Sequence, residues 1–322
     1  KRVVIITGGL GYIGSHISYL LKDRAIILDN ESNSSLNYKK LLPSSMVIRK
    51  NCSYSNICKI FNDHKISGVI HLAGFKSVNE SVSNPIKYYK NNILSSLDLL
   101  SAMREYNINN LIFSSSATVY GDINTSPLKE EFDLKALNPY ANTKIIIEKI
   151  ITDYARSNKK FKAISLRYFN PIGANLSANL YDQPLGAPQN LVPVIMRSLL
   201  NNKVLNVFGD NYDTPDGTCI RDYIHVSDLA NSHIKALENL KKIKNHICIN
   251  IGLGKGLSVL ELIEIFEKTN GIKIKYKIAD RRQGDVAISY ANNLKAIKLL
   301  NWKPKLSYEQ MCYDSWESFN KK

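Results

Sequence analysis

Tyr140 and Lys144 have the residue types and the spacing that proton transfer requires. They lie four residues apart, so on a helix both side chains share one face. A tyrosine base working near pH 7 must have its pKa lowered from about 10 by about 3, which corresponds to about 4 kcal/mol. A nearby ammonium group and a bound cation both act in that direction. Pro139 suits a first helical turn, where the helix dipole also favours a tyrosinate.

A predicted strand upstream of this pair, at 111–114, ends in a run of serines. Ligands of parallel sheets meet the carboxyl ends of the strands. We therefore expect Ser116 to hydrogen-bond a reacting hydroxyl, and Ser114 to serve the backbone or a cofactor. Tyr140, Lys144 and Ser116 are the candidate catalytic residues, for a reaction that takes a proton and a hydride from one secondary alcohol.

A glycine-rich turn opens the chain. Gly8, Gly11 and Gly14 follow the predicted strand Val3–Thr7 and begin a predicted helix, which is the context in which such glycines hold the pyrophosphate of a dinucleotide. Asp29 ends the next strand, where a carboxylate can bind an adenosine ribose and disfavours a 2′-phosphate, so NAD is expected over NADP. Three polar residues beyond it could serve the same ribose or simply form a polar loop: Asn30, Asn33 and Ser34.

Strands and helices alternate through the first half of the chain. Predicted strands span Val3–Thr7, 25–28, 69–72, 111–114 and 163–167, and predicted helices span 14–22, 85–106 and 139–156. This alternation indicates an α/β fold with a Rossmann-type doubly wound parallel sheet.

A domain boundary is predicted near residue 170, where loops rich in Asn, Pro and Gly begin. Residues 1–169 would form the NAD-binding domain, and residues 170–322 a smaller, discontinuous substrate domain. Strand-like runs at 220–226 and 247–251 predict that about 218–251 returns to the first sheet. Two predicted helices of the smaller domain span 257–268 and 294–300.

Several strings of residues extend the pattern over nearly the whole chain. They are 8–16 (GGLGYIGSH), 69–76 (VIHLAGFK), 88–92 (YYKNN), 114–122 (SSSATVYGD), 166–174 (LRYFNPIGA), 216–226 (DGTCIRDYIHV) and 281–285 (RRQGD). Together they resemble the UDP-glucose (UDP-galactose) 4-epimerase family of the extended short-chain dehydrogenase/reductase superfamily. The resemblance implies NAD-dependent, reversible inversion of C4 in UDP-hexoses through a 4-keto sugar.

The resemblance also implies residue roles. Tyr140 would take the proton of the sugar 4-hydroxyl, and Ser116 would hydrogen-bond the 4-oxygen. Lys144 would hold the nicotinamide ribose and lower the pKa of Tyr140, while Tyr168 would orient the nicotinamide. The positions expected to contact NAD are Gly8, Gly11, Tyr12, Ile13, Gly14, Asp29, Asn30, Asn33, Ser34, Asn51, Cys52, Leu72, Lys76, Asn91, Ser114, Tyr140, Lys144 and Tyr168.

The implied substrate positions gather cationic, acidic and aromatic residues. They are Lys76, Ser116, Tyr140, Asn170, Asn190, Leu191, Asn206, Phe208, Arg221, Arg282, Asp285 and Ser289. Two guanidinium groups, on Arg221 and Arg282, suit a diphosphate. Asp285 can hold a ribose, and Phe208 can pack against uracil.

Four places depart from the family pattern. The turn 21–25 lacks the customary glycine, Asn51 stands where an adenine-contacting Asp is usual, and the helix around Tyr140 carries Ala-Asn-Thr before Lys144. Ser289 stands where members restricted to glucose and galactose carry Tyr. We take Ser289 to indicate activity on UDP-GlcNAc and UDP-GalNAc as well; a shift of one residue would place Tyr290 there instead.

The composition sets further limits. The net charge of +15 permits a polyanion ligand, but the lysines are spread along the chain, so we expect an anionic small substrate and no nucleic acid. No apolar run approaches membrane-spanning length, and the five scattered cysteines fit a reducing cytoplasm. No metal site is expected, and His71 and His225 are interpreted as structural. Members of the family commonly pair two long helices per subunit, so a homodimer through 85–106 and 139–156 is expected.

Other functions stay open at this point. A nucleotide-sugar 4,6-dehydratase places an acidic pair after the catalytic serine, and a UDP-glucuronate decarboxylase a Glu; here Ala117 and Thr118 stand there, and neither can do general acid–base work. A non-catalytic NAD-binding sensor would be expected to lose Tyr140 or Lys144, and both are present.

Overall fold

The computed structural model describes residues 2–33, 38–123, 125–182, 188, 190–282 and 284–320. Its strands are β1 (Val3–Thr7), β2 (Ala25–Asp29), β3 (Met46–Arg49), β4 (Ile66–His71), β5 (Asn110–Ser116), β6 (Lys162–Tyr168), β7 (Asn170–Ile172), β8 (Leu205–Phe208), β9 (Ile220–Arg221), β10 (Tyr223–His225), β11 (His246–Ile251), β12 (Leu257–Ser258), β13 (Tyr276–Ala279) and β14 (Ile288–Ser289). Its α-helices are α1 (Tyr12–Leu21), α2 (Tyr38–Leu41), α3 (Tyr54–Asp63), α4 (Val78–Ser83), α5 (Pro85–Tyr88), α6 (Leu94–Glu105), α7 (Pro139–Ser157), α8 (Leu191–Leu200), α9 (Val226–Asn239), α10 (Val259–Asn270), α11 (Leu294–Leu300) and α12 (Tyr308–Asn320).

Seven parallel strands form the central sheet, in the order β11-β6-β5-β4-β1-β2-β3. The inner strands are runs of apolar residues, as in β1, because both faces of a parallel sheet are covered. The chain winds outward from β1 in one direction and from β4 in the other. A crevice therefore opens between their carboxyl ends, where ligands of doubly wound sheets bind.

Helices cover both faces of this sheet, which confirms the predicted Rossmann-type α/β fold. One buried cluster packs α1, α9 and α11 against the strands through residues such as Ile17 and Leu229. The other packs α3, α6 and α7 through residues such as Ile57, Leu99 and Ile147. None of the helices in the described parts of the chain is long and apolar enough to cross a membrane.

A third buried cluster lies in the second half of the chain. It joins α8, α10 and α12 through residues such as Ile195, Phe266 and Met311. Short strands accompany it: β10 pairs with β7, β13 with β8, and β9 lies between β12 and β14. These small sheets position the polar residues that the sequence assigned to substrate.

The structure corrects two predictions about elements. The run 220–226 does not return to the central sheet, because its two strands pair with β7, β12 and β14, and the buried Asp222 between them binds backbone of other loops. Only β11 returns, at the sheet edge beside β6, while α9 packs on the sheet. The helix predicted over 85–106 is interrupted by a π-helical turn, Tyr89–Ile93.

Candidate active site

A cavity of about 750 Å³ lies at the carboxyl ends of the strands. It runs over the crevice between β1 and β4 and is lined by the glycine turn, the ends of β2, β5 and β6, and the start of α7. All predicted NAD positions line it except Ser34, which lies outside the described residues: Gly8, Gly11, Tyr12, Ile13, Gly14, Asp29, Asn30, Asn33, Asn51, Cys52, Leu72, Lys76, Asn91, Ser114, Tyr140, Lys144 and Tyr168.

The glycine turn has a shape that only glycine permits. Gly8 has φ +71°, and a Cβ there would lie 2.8 Å from the backbone nitrogen of Ala73. A Cβ on Gly14 would lie 2.3 Å from the carbonyl oxygen of Gly8. Among the described residues, no side chain caps the start of α1 at Gly11, so the first N–H groups of this helix, which lines the cavity, are available as an anion site. This cradle fits the pyrophosphate of NAD.

Asp29 is held at the opposite side of the turn. Its carboxylate accepts hydrogen bonds from the backbone N–H of Leu10, at 3.0 Å, and of Glu31, at 2.7 Å. Burial raises its pKa, and the two backbone hydrogen bonds oppose that rise. Beside it, Asn30 donates to the side-chain oxygen of Asn51, at 2.8 Å. The arrangement leaves a carboxylate and two amides facing the space that an adenosine would occupy.

The predicted catalytic pair stands at the start of α7. The side chain of Asn138 caps this helix by accepting from the backbone N–H of Ala141, at 2.8 Å. Lys144 is 5% exposed. Its ammonium nitrogen donates to the carbonyl oxygen of Ser114, at 2.7 Å, and lies 5.7 Å from the ring centre of Tyr140. Burial lowers the pKa of Lys144 to about 8, and the nearby Glu148 carboxylate opposes that change.

The pKa of Tyr140 differs from the expectation. Burial raises it above the ordinary value of a phenol, and the hydroxyl of Ser116 acts in the opposite direction. The expected lowering by Lys144 is therefore not achieved by the chain alone. The physical reason is burial, which disfavours the charged phenolate. The ammonium group of Lys144 donates to the Ser114 carbonyl and lies over the Phe113 ring, 4.9 Å from its centre.

A buried ion pair between Glu148 and Arg167 lies next to the catalytic pair Tyr140 and Lys144. Glu148, one turn beyond Lys144 on α7, accepts from Arg167 Nε at 3.0 Å and Nη2 at 2.7 Å, and from the Ser115 hydroxyl at 2.6 Å. Burial raises the pKa of Glu148, but the bonds from Arg167 and Ser115 outweigh it, so the net shift is downward. Arg167 also donates to the Tyr120 hydroxyl, at 3.0 Å. This network ties α7 to β5 and β6.

The hydroxyl of Tyr168 is hydrogen-bonded to the ring of His233 on α9. His233 Nδ1 lies 2.8 Å from the carbonyl oxygen of Leu229, an acceptor, so Nδ1 carries the proton and Nε2 accepts from the Tyr168 hydroxyl. Burial lowers the pKa of His233 to about 4, so the ring is neutral.

The predicted structural role of His71 is confirmed, because its ring nitrogens bind Thr7, at 2.7 Å, and Ser96, at 2.9 Å.

The predicted substrate residues fall into two groups. Lys76, Ser116, Tyr140, Asn170 and Asn190 line the cavity. The other seven do not line it in the described parts of the chain: Leu191, Asn206, Phe208, Arg221, Arg282, Asp285 and Ser289. They lie on or beside α8, β8, β9 and β14, and residues 183–187 and 189, next to Asn190, are outside the described residues.

This second group has its own contacts. The guanidinium of Arg282 lies 4.6 Å from the ring centre of Phe208. Arg221 Nη2 lies 3.4 Å from Asp285 Oδ1, and its Nη1 donates to the carbonyl of Val286, at 2.7 Å. The group offers two cations, a carboxylate and an aromatic face, which is the chemistry that a nucleoside diphosphate requires.

The cavity wall also includes residues that the sequence analysis did not assign to the site, among them Phe75, Thr118, Tyr181 and Asp182. Thr118 lies two residues after Ser116, where the short spacing after a strand end was an available signal. Burial raises the pKa of Asp182, and the charge of Lys76 opposes that rise. Tyr181 and Asp182 follow an irregular loop that carries no periodicity, so no sequence signal points to them.

Comparison with known proteins places the chain in a family. The model of the NAD dependent epimerase/dehydratase family matches residues 4–252. A UDP-glucose 4-epimerase of Bacillus subtilis (strain 168) is 42% identical over 97% of this chain and 95% of its own, and UDP-glucose 4-epimerase 2 of Arabidopsis thaliana is 44% identical over 98% and 94%.

Two solved structures are similar over almost their whole length. UDP-glucose-4-epimerase from Stenotrophomonas maltophila, with bound NAD and formylated UDP-arabinopyranose, has a TM-score of 0.96 at 37% identity, covering 100% of this chain and 98% of that one. UDP-glucose 4-epimerase from Bifidobacterium longum, in complex with NAD+ and UDP, has a TM-score of 0.93 at 38% identity, covering 99% and 98%. The chain therefore belongs to the NAD dependent epimerase/dehydratase family, and NAD is its cofactor.

Proposed function

We propose that this protein interconverts UDP-glucose and UDP-galactose by inverting C4 of the hexose. The observation that carries the proposal is the presence, in one cavity, of a glycine cradle for a dinucleotide and of Tyr140, Lys144 and Ser116. A cofactor site with a tyrosine base beside it suits oxidation of a secondary alcohol followed by reduction of the resulting ketone.

We assign a separate role in the reaction to each of the three catalytic residues. Tyr140 removes the proton of the 4-hydroxyl and later returns it, and Ser116 donates a hydrogen bond to the same oxygen. Lys144 holds the nicotinamide ribose and places a positive charge near the phenol. When bound, NAD supplies a cationic nicotinamide ring that accepts the C4 hydride and gives it back. Inversion follows if the keto sugar presents its other face before the hydride returns.

The second group of predicted substrate residues supports binding of the UDP part of the substrate. We assign the diphosphate to Arg221 and Arg282, the uracil to Phe208, and a ribose to Asp285. Asn170 and Asn190, in the cavity wall, would contact the part of the substrate between the UDP group and Tyr140. If the substrate is held mainly through its UDP group, the hexose is left free to turn over about its link to the diphosphate, which the inversion requires.

The test is conversion of UDP-galactose by the purified protein, with the C4 epimers separated by chromatography. We expect UDP-glucose to form, and Tyr140→Phe to reduce the rate at least about a hundredfold because the general base is lost. Tyr154→Phe is a matched control, since Tyr154 lies on the same helix and packs on Phe161. No conversion by the wild type, even with NAD added, would overturn the proposal.

We further propose that UDP-GlcNAc and UDP-GalNAc are substrates. Ser289 pairs with Arg221 in parallel register, and paired residues project from the same face of a sheet. Tyr290 is the next residue, so it faces the other side, where its ring lies 3.2 Å from a Cβ built on Gly256. This favours Ser289, and not Tyr290, as the residue beside the sugar.

Ser289→Tyr tests this substrate range. We expect the wild type to convert UDP-GalNAc, and the variant to lose that activity while it keeps conversion of UDP-galactose. A wild type that converts UDP-galactose but not UDP-GalNAc would contradict the assignment of Ser289.

We also propose a homodimer in the cytoplasm. Four large apolar side chains are exposed on or beside α4 to α6: Val82 (62%), Ile86 (76%), Leu94 (50%) and Leu97 (41%). Light scattering should give twice the mass of one chain, and Ile86→Lys should reduce this mass; a monomeric wild type would contradict the dimer.

The cytoplasmic location is supported by the cysteines. All five are free thiols, as a reducing compartment favours. Cell fractionation tests the location, and recovery of the protein outside the cytoplasm would contradict it.

A further inference from the structure

The hydroxyl oxygen of Ser116 receives two hydrogen bonds from one neighbour. Ser116 ends β5 and caps a short 3-10 turn, Ala117–Tyr120. The backbone N–H of Thr118 donates to Ser116 Oγ at 3.2 Å, and the Thr118 hydroxyl donates to it at 2.9 Å. Both residues line the cavity that contains Tyr140.

These two bonds determine what the Ser116 hydroxyl can do. A serine hydroxyl has one hydrogen to donate and two lone pairs that accept. With both lone pairs engaged by Thr118, only the hydrogen of Ser116 remains available. Tyr140 and Ser116 line the same cavity, and a hydrogen bond from Ser116 acts to lower the pKa of the Tyr140 phenol.

We propose that Thr118 is a positioning residue for the proton transfer: its hydroxyl keeps Ser116 oriented as a hydrogen-bond donor toward the Tyr140 oxygen and the reacting oxygen of the substrate. The proposal rests on the function assigned above to Tyr140. Thr118 is not itself a catalytic residue, because it acts through Ser116.

The physical consequence is a stabilised phenolate. A hydroxyl that accepts hydrogen bonds becomes a stronger donor, because bonds in a chain polarise one another. When the Thr118 hydroxyl is removed, the backbone N–H still holds the turn, but Ser116 gains a free lone pair and its hydrogen can rotate away from Tyr140. The phenol should then ionise at higher pH.

The experiment compares Thr118→Val with Thr118→Ser, in the wild type and in Ser116→Ala, by the pH dependence of kcat with UDP-galactose. We expect Thr118→Val to lower kcat about five- to tenfold, the effect of one hydrogen bond, and to move the acid limb to higher pH. Thr118→Ser should restore both values. In the Ser116→Ala background, Thr118→Val should have no further effect.

Three results would overturn the proposal: a profile of Thr118→Val that matches the wild type, a failure of Thr118→Ser to restore it, or an equal loss in the Ser116→Ala background, which would mean that Thr118 contacts substrate directly. Thr118→Ala replaces Thr118→Val if the latter does not fold. Ultraviolet titration of the phenol, with Tyr140→Phe subtracted, gives the same comparison without turnover. It therefore tests the proposal even if UDP-galactose is not a substrate.

Discussion

The buried Glu148–Arg167 ion pair is predicted to be a main support of the catalytic helix. The two side chains are 5% and 4% exposed and share two hydrogen bonds. Glu148→Gln keeps the shape but leaves the Arg167 guanidinium buried with neutral acceptors, the Tyr120 hydroxyl and the Glu130 carbonyl. Breaking a buried pair in this way costs about 3–5 kcal/mol, a large fraction of the 5–15 kcal/mol that is about the usual stability of a folded protein.

The assay is urea unfolding of the NAD-loaded protein, compared with a control on the same helix. Asp153→Asn makes the same chemical change at an exposed pair, in which Asp153 is 54% and Lys149 65% exposed, so its cost should stay below about 1 kcal/mol. Replacing Glu148 and Arg167 together, by Leu and Met, should recover much of the loss because no unpaired charge remains. A cost for Glu148→Gln no larger than that of Asp153→Asn would refute the reasoning.

The same pair predicts a pH dependence. The folded-state pKa of Glu148 is lowered, with the bonds from Arg167 and Ser115 outweighing burial. Its contribution to the free energy of unfolding is therefore complete above the unfolded-state pKa and is lost as the pH falls through the folded-state pKa. The stability advantage of the wild type over Glu148→Gln should shrink on acidification. An advantage that grows at acid pH would contradict this.

Three other predictions concern single residues, one at the end of α1 and two in the cavity. Lys22 has φ 53° and ψ −128°, a conformation that favours glycine, so Lys22→Gly should raise the free energy of unfolding by about 1 kcal/mol; an unchanged or lower urea midpoint would count against it. Gly14→Ala should abolish NAD retention, measured by the absorbance of released cofactor, because its Cβ would lie 2.3 Å from the Gly8 oxygen; a normal NAD content would contradict the cradle. In protein freed of NAD, burial should keep the pKa of Tyr140 raised above the ordinary value of a phenol, and ultraviolet titration against Tyr140→Phe should show this; ionisation near neutrality would refute it.

Local patterns were enough to predict the sheet and the cofactor end of the site. The apolar run of β1 followed by Gly8, Gly11 and Gly14 indicated a strand, a turn and a helix start, and all three are present. The spacing of Tyr140 and Lys144 placed both on one helix face, and both line the cavity. These features depend on residues close together in the sequence, so local sequence patterns are enough to predict them.

Contacts between distant segments could not be predicted in the same way. The Tyr12 hydroxyl donates to the carbonyl of Gly173, at 2.6 Å, and Tyr168 binds His233; neither partner is marked by any periodicity. The strands 220–226 were expected in the central sheet because their apolar residues suit it, but Asp222 binds the backbone N–H groups of Leu253, Gly254 and Ala291. The pairing of short strands is decided by such tertiary contacts and not by local preference.

The pKa of Tyr140 shows a further limit of sequence reasoning. The sequence places a lysine within reach of the phenol, and Coulomb attraction alone then predicts an acidic tyrosine. The structure adds burial, which raises the pKa, and aims the ammonium group at the Ser114 carbonyl. The sign of the shift is set by the burial of the phenol in the folded chain, which the spacing of Tyr140 and Lys144 does not specify.

The fate of the C4 hydrogen during turnover tests the proposed oxidation and reduction at C4. UDP-galactose deuterated at C4 is incubated with the protein in ordinary water, and the UDP-glucose product is examined by NMR. If the hydride leaves and returns within one cavity while Tyr140 handles only the hydroxyl proton, the product keeps deuterium at C4. Loss of the label to water, with hydrogen at C4 of the product, would contradict the account.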